Sequence, residues 1–286
     1  MELYSINTGY FKLDGGAMFG VVPKVIWNKT NPADENNLCS WAMRCLLVVI
    51  GDRKILIDNG MGNKQSKKFF SHYFPHGDDT LEKSLAKHGF SVDDITDNLL
   101  THLHFDHAGG GIIKKENNDG FEPLFKNATY WVSKAQWDWA LNPNGREKAS
   151  FLKENLLPMQ EHNQLKLIDK EQELFPGLHI KIFNGHTDGQ IIPYIDFNGR
   201  TLIYTADLLP STGHIPLPYI MSYDTRPLLT LNEKTEFLQK AVNENHTFFF
   251  EHDNYTECCT VKDTPKGPRL NKKLTLQEFI GNKQFV

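Results

Sequence analysis

The chain has no hydrophobic run long enough to cross a bilayer. Its longest strongly apolar stretch, Cys45 to Ile50, is far short of the roughly 20 residues a spanning helix needs. The start of the sequence, MELYSINTGYFKLDGG, has neither the basic opening nor the apolar segment of a secretory signal. Cysteine is scarce. The four residues Cys39, Cys45, Cys258 and Cys259 lack zinc-ribbon spacing and the density of a disulfide scaffold, which points to reduced thiols in a cytoplasmic protein. Charge of one sign is not in excess: the formal net charge is -4, and no basic stripe marks a nucleic-acid binder. Internal repeats, low-complexity tracts and long linkers are also missing.

What is there reads as one ordinary globular domain over residues 1–286, with 40% hydrophobic and 23% charged residues, enough for a sizeable core. The first forty residues, rich in Gly, Pro and Asn, read as loops with short strands. Residues 44–50 and 53–58 form a hairpin pattern around Gly51-Asp52. Residues 79–89 have helical spacing and end on a glycine. Short strands are expected at 98–101 and 128–132, with Ser133 capping a helix that runs to Leu141 and a second helix over 146–155. From residue 165 strands dominate, with Asn198-Gly199 as a hairpin turn. An amphipathic helix follows over 230–243, with Leu231, Phe237, Leu238 and Val242 on one side, then a buried strand over 246–250. Helices covering strand-rich halves imply an α+β or α/β layered fold.

The chemistry concentrates in Thr101-His-Leu-His-Phe-Asp-His-Ala-Gly-Gly110. In an extended chain His102, His104 and Asp106 face one side, and His107 joins them through a turn that Gly109 and Gly110 make easy. Imidazole nitrogens with carboxylate oxygens suit zinc and related divalent ions. At this composition an H-x-H-x-D-H arrangement arises by chance in about one chain in a thousand, so a solvated polar loop is a poor account of it. His186, Asp207 and His252 each lie just past the C-terminal end of an apolar strand, where a rigid sheet holds functional loops.

T-H-L-H-F-D-H-A-G-G, then G-H-T, A-D after a strand, and E-H-D together resemble the metallo-β-lactamase superfamily over nearly the whole chain. Gly15 to Lys24 with Trp27, Leu56 to Gly60, and Phe250 to Asp253 resemble its branch of lactonases and methyl-parathion-hydrolase-like enzymes. The resemblance implies a four-layer αβ/βα sandwich and a ligand partition. His102, His104 and His186 would hold one metal, Asp106, His107 and His252 a second, and Asp207 would bridge both. Where ordinary zinc β-lactamases use a cysteine, Asp207 stands here. The expected cofactors are two divalent ions, zinc first and iron or manganese as alternatives. A metal-bridging hydroxide would be the nucleophile, and Asp106, the terminal carboxylate ligand, the proton acceptor. Asp58 would either orient a metal-binding histidine or stabilise its turn.

Two places depart from the resemblance. Pro210 stands where acyl-homoserine lactonases carry a tyrosine, leaving Tyr223 on a later loop as a substitute, and Gly185-His-Thr-Asp-Gly-Gln190 replaces Gly-His-Thr-Pro-Gly-His. Met18, Phe19, His214 and Tyr223 are the expected substrate-binding residues, with Trp27 and Phe74 as further pocket candidates. The expected reaction is hydrolysis of a lactone or other carboxylic ester. The rivals are phosphotriester or phosphodiester hydrolysis and an iron-dependent, oxygen-using redox reaction on the same fold. The expected partner is a small-molecule substrate, with no nucleic acid and no membrane. The Met18–Trp27 segment reads as a lid or as the arm of a homodimer.

Overall fold

The computed structural model describes residues 1–117 and 119–281. The chain divides into two compact units. The first comprises residues 1–11, 43–170 and 189–191, and the second 12–42, 171–188 and 192–286. Both combine sheet and helix, so the fold class is α+β.

The first unit is built on a six-stranded sheet in the order β1-β2-β3-β4-β7-β8. Its strands are β1 (Glu2–Asp14), β2 (Leu38–Ile50), β3 (Arg53–Ile57), β4 (Asp97–Leu99), β7 (Thr129–Ser133) and β8 (Leu165–Ile168); β5 (Ile112–Lys114) and β6 (Phe121–Pro123) form a separate ribbon. The expected hairpin is present, with Ile50 opposite Arg53. From β3 onward the strands pair in parallel, so the segments leaving β3 and β4 emerge at the same edge. Leu47, Leu56, Leu100, Tyr130, Val132 and Trp137 pack into the core of this unit. Ser133 caps helix Lys134–Leu141 as expected, its hydroxyl accepting from the Gln136 amide.

The second unit carries a seven-stranded sheet in the order β15-β14-β13-β12-β11-β10-β9. Its strands are β9 (Gln172–Phe175), β10 (Leu178–Phe183), β11 (Gln190–Phe197), β12 (Arg200–Tyr204), β13 (Thr247–Phe249), β14 (Cys258–Lys262) and β15 (Arg269–Leu274). Asn198 and Gly199 both take positive φ, 50° and 75°, as a two-residue type I′ turn requires. Helix Pro227–Asn243 begins at a proline and lays Phe237 against Phe248, ring centroids 5.0 Å apart.

Three expectations need correction. The first forty residues contain the 13-residue strand β1, whose burial does not alternate with period two. The helix expected over 146–155 starts instead at Lys153. Residues ahead of it are drawn into a turn in which the Asn144 side chain accepts from the Arg146 and Glu147 amides, freeing Glu147 to point inward. Helix Pro227–Asn243 buries Thr230, Lys234, Phe237, Leu238 and Ala241, a face that includes a lysine, while Leu231 and Val242 are only half-buried.

Candidate metal centre

In the first unit the chain leaves β4 and runs extended through Thr101 to His104 before a single helical turn, Phe105–Ala108. Two glycines let this loop press on the turn after β3. A Cβ at Gly109 would sit 2.2 Å from the Met61 carbonyl oxygen, and one at Gly110 2.0 Å from that of Asn59. Asp58 closes the arrangement from a left-handed conformation (φ 57°). Its carboxylate accepts from the Thr101 amide and hydroxyl, both at 2.7 Å, and from His107 Nδ1 at 3.1 Å. Asp58 therefore both orients the His107 ring and braces the turn.

The hydrogen bonds assign the ring protons. The Thr101 hydroxyl spends its proton on Asp58, so it must accept from His102 Nδ1, 3.1 Å away, which leaves His102 Nε2 bare. His104 Nε2 donates to Glu147 at 2.9 Å, leaving its Nδ1 bare. Those two bare nitrogens face each other at 3.0 Å. Two lone pairs at that distance repel unless a cation lies between them, and zinc–nitrogen bonds of about 2.0–2.1 Å reach across such a gap. His107 Nε2, which carries no proton while Nδ1 donates to Asp58, is 3.8 Å from Asp106 Oδ2. Tyr73 lies beside this carboxylate; burial and the Asp106 charge together push its phenol up.

The second unit repeats the logic. Glu233, on helix Pro227–Asn243, accepts from the Asn184 and Gly185 amides at 2.8 and 2.9 Å and seats the turn that carries His186. Gly185 is obligatory there, since a Cβ would lie 2.5 Å from the Thr230 nitrogen. Asp224 accepts from His186 Nδ1 at 2.8 Å, so Nε2 is presented inward, 3.2 Å from Asp207 Oδ2. β12 and β13 are parallel neighbours with Tyr204 opposite Phe249, so Asp207 and His252, each three residues beyond, leave the same edge. The step from β12 to Asp207 passes through Ala206 at φ 41°, a strained conformation for a residue with a Cβ. His252 Nδ1 donates to the Ala42 carbonyl at 2.8 Å, and its Nε2 lies 3.1 Å from Asp207 Oδ1. Each oxygen of one carboxylate thus meets a different imidazole. Burial opposes a charge on His186, but Asp207 and Asp224 outweigh it and push the group up to about 10. The pocket built around this nitrogen favours a cation.

All seven residues expected as ligands are buried, from 0% to 8% exposed. Within each unit, the ligand-type atoms of His102 and His104, of Asp106 and His107, and of His186 and Asp207 lie within 4.8 Å. Every histidine among them has one ring nitrogen held by an oxygen, the arrangement that orients metal ligands.

The expected substrate residues fare differently. Phe19 is fully buried and stacks on Trp27 and on His214, at 5.4 and 4.4 Å. Both His214 nitrogens are engaged, Nδ1 by the Ser211 hydroxyl and Nε2 by the Met18 carbonyl, and burial pushes the ring down to about 3. These contacts pack Phe19, Trp27 and His214 together, with Met18 buried beside them. Tyr223 and Phe74 are exposed at the surface. His214 shares a narrow cleft with Asp207, Tyr219 and Met221. Sequence reasoning missed Tyr219, Glu147, Asp224 and Glu233, which sit in no motif. Only the polar run Ser222-Tyr-Asp-Thr225 after an apolar loop hinted at Asp224.

The description "Metallo-beta-lactamase superfamily" matches residues 44–252. The chain is 25% identical over 265 residues to an N-acyl homoserine lactonase of Bacillus thuringiensis subsp. kurstaki, covering 88% of this chain and 93% of that one. The crystal structure of a probable metal-dependent hydrolase from Staphylococcus aureus is similar with a TM-score of 0.85 and 29% identity, covering 96% of this chain and 98% of that one. A dizinc quorum-quenching lactonase in complex with a product shares the fold, with a TM-score of 0.78 at 24% identity and coverage of 96% and 95%.

Proposed function

The chain belongs to the metallo-β-lactamase superfamily of metal-dependent hydrolases, and we propose that it is a binuclear enzyme, one hydrolase domain over residues 1–286, that opens a lactone or another carboxylic ester. The observation that carries this reading is Asp207, whose two oxygens face His186 Nε2 and His252 Nε2 separately. A carboxylate so placed is suited to joining two ions. His102, His104 and His186 are the proposed ligands of one ion, and Asp106, His107 and His252 of the other. An all-nitrogen and oxygen set with no thiolate suits zinc, iron or manganese, and zinc is the first choice. The lactone preference rests on the likeness to the Bacillus lactonase. A cytoplasmic location fits the four buried thiols, which form no disulfide.

When bound, the two ions supply hydroxide from water near neutral pH and draw charge from the acyl oxygen. The chain's own residues prepare for this. Asp58, Glu147 and Asp224 hold the rings of His107, His104 and His186, so each inner nitrogen is presented without rearrangement. Asp106 takes the proton of the attacking water and returns it to the leaving oxygen, beside the neutral Tyr73 phenol.

The zinc-loaded enzyme tested against N-acyl homoserine lactones, aryl esters and phosphotriesters decides the substrate class. The expected result is lactone or ester turnover that chelation abolishes and zinc restores. Turnover of phosphotriesters alone, or oxygen consumption without hydrolysis, overturns the reading.

A further inference from the structure

A second cavity, of about 360 Å³, lies in the second unit and is lined by Lys29, Arg269 and Lys273 without a single carboxylate. The three cations come from two distant stretches of chain: Lys29 follows the short helix Lys24–Trp27, and the other two lie on β15. A strand irregularity sets one of them, Lys273, beside Leu270. The β14–β15 register shifts between Thr260 and Val261, where β15 advances from Leu270 to Lys272 against one step of its partner. The extra residue, Asn271, puts Leu270 and Lys273 on the same side of the strand, and both line the cavity.

The cations are not neutralised from within. Among the described residues Lys29 and Lys273 have no ion-pair partner, and Arg269 Nη1 donates only to the carbonyl of the adjoining Pro268. Three cations around one concave site make a local field that attracts an anion, although the chain's net charge is -4. The Tyr255 phenol stands on the rim as a further donor, while the Thr30 and Thr212 hydroxyls already donate to the Trp27 carbonyl and to Asp253. Ile215 and Leu270 supply an apolar wall.

We propose that this cavity is a binding site for a small organic phosphate or phosphonate, its dianionic head held by Lys29, Arg269 and Lys273 and its compact apolar body against Ile215 and Leu270. A guanidinium with two ammonium groups matches three terminal oxygens better than the two of a carboxylate. The volume admits such a head with a ring-sized body. The site is independent of the metal ligands, and its occupant bears on the loop beside them. Arg269 opposes the charge of buried Lys234, whose ammonium donates to the Pro216 and Tyr219 carbonyls at 2.9 Å. An anion beside Arg269 offsets that repulsion and firms the loop.

Calorimetric titration of the zinc-loaded full chain with phenylphosphonate, which resists hydrolysis, tests the proposal. The wild type is expected to bind saturably, and Lys29→Glu/Lys273→Glu to weaken binding at least about tenfold, with an unchanged melting temperature and metal content. Lys29→Gln/Lys273→Gln and Arg269→Gln, which remove charge without reversing it, are expected to weaken it less. Phenylacetate is expected to bind more weakly than phenylphosphonate. Absence of saturable binding by the wild type up to about 10 mM overturns the site, and so does unchanged affinity in the double glutamate variant, which would put the phosphonate on the metals.

Discussion

At the scale of single residues, the candidate centre is governed by where protons sit. Asp58, Glu147 and Asp224 each occupy one nitrogen of a buried histidine, at 3.1, 2.9 and 2.8 Å. Their work is to hold these rings, so replacing them should harm metal affinity more than stability. Asp58→Asn and Asp224→Asn are each expected to weaken zinc binding about 10–100-fold, read by competition with a chromophoric chelator. Unchanged zinc affinity in both would mean that these carboxylates only brace the turns. Asp106→Asn, with metals restored by excess zinc, is expected to lower kcat about 10²–10⁴-fold while KM changes little. Retained turnover would remove Asp106 from the proton path. The ligand-type residues were legible in the sequence because H-x-H-x-D-H packs four donors into six positions. Their orienting partners were not, since Glu147 lies 43 positions from His104 and Asp224 38 positions from His186. Only folding brings them together.

At the scale of elements, strand ends and tight turns hold the donors. Alternation and turn residues revealed the β2–β3 hairpin and the Asn198-Gly199 turn, because both obey local rules. Strand β1 obeys no such rule, with burial spaced at Leu3, Ile6, Gly9 and Phe11, so composition alone misread it as loop. Helix Pro227–Asn243 shows the same limit. Its core face includes Lys234, which no amphipathic pattern admits, yet that lysine pins the loop that carries Tyr219. Burial pushes Lys234 down to about 7, with Arg269 adding and Asp224 opposing. In the unfolded chain a lysine titrates near ~10.5, so above pH 7 the unfolded state binds more protons. Stability therefore rises with pH from about 7 to ~10.5 through this group. Urea unfolding across that window should show Lys234→Met flattening the rise, and an identical slope in variant and wild type would contradict it. Gly185→Ala is expected to cost about 1–3 kcal/mol of stability and most of the activity, because its Cβ meets the Thr230 backbone at 2.5 Å. Wild-type melting temperature and turnover in that variant would show that the turn can shift.

At the scale of the whole molecule, the first compact unit carries four of the proposed ligands and the second carries three. The composition announced a globular protein, and no helix among the described residues is long and apolar enough to cross a membrane. The matched family description covers residues 44–252 and so includes every proposed ligand. Metal binding should therefore stabilise the folded chain. With free zinc at 100 times its dissociation constant, linkage adds about 2.7 kcal/mol per site, and chelation should lower the melting temperature accordingly. The central claim is the paired site joined by Asp207. Anomalous diffraction at the zinc edge from crystals of the zinc-loaded protein tests it most directly. The account predicts two peaks per chain, one bound by His186 Nε2 and Asp207 Oδ2, the other by His252 Nε2 and Asp207 Oδ1. A single peak, or both Asp207 oxygens on one ion, would contradict it.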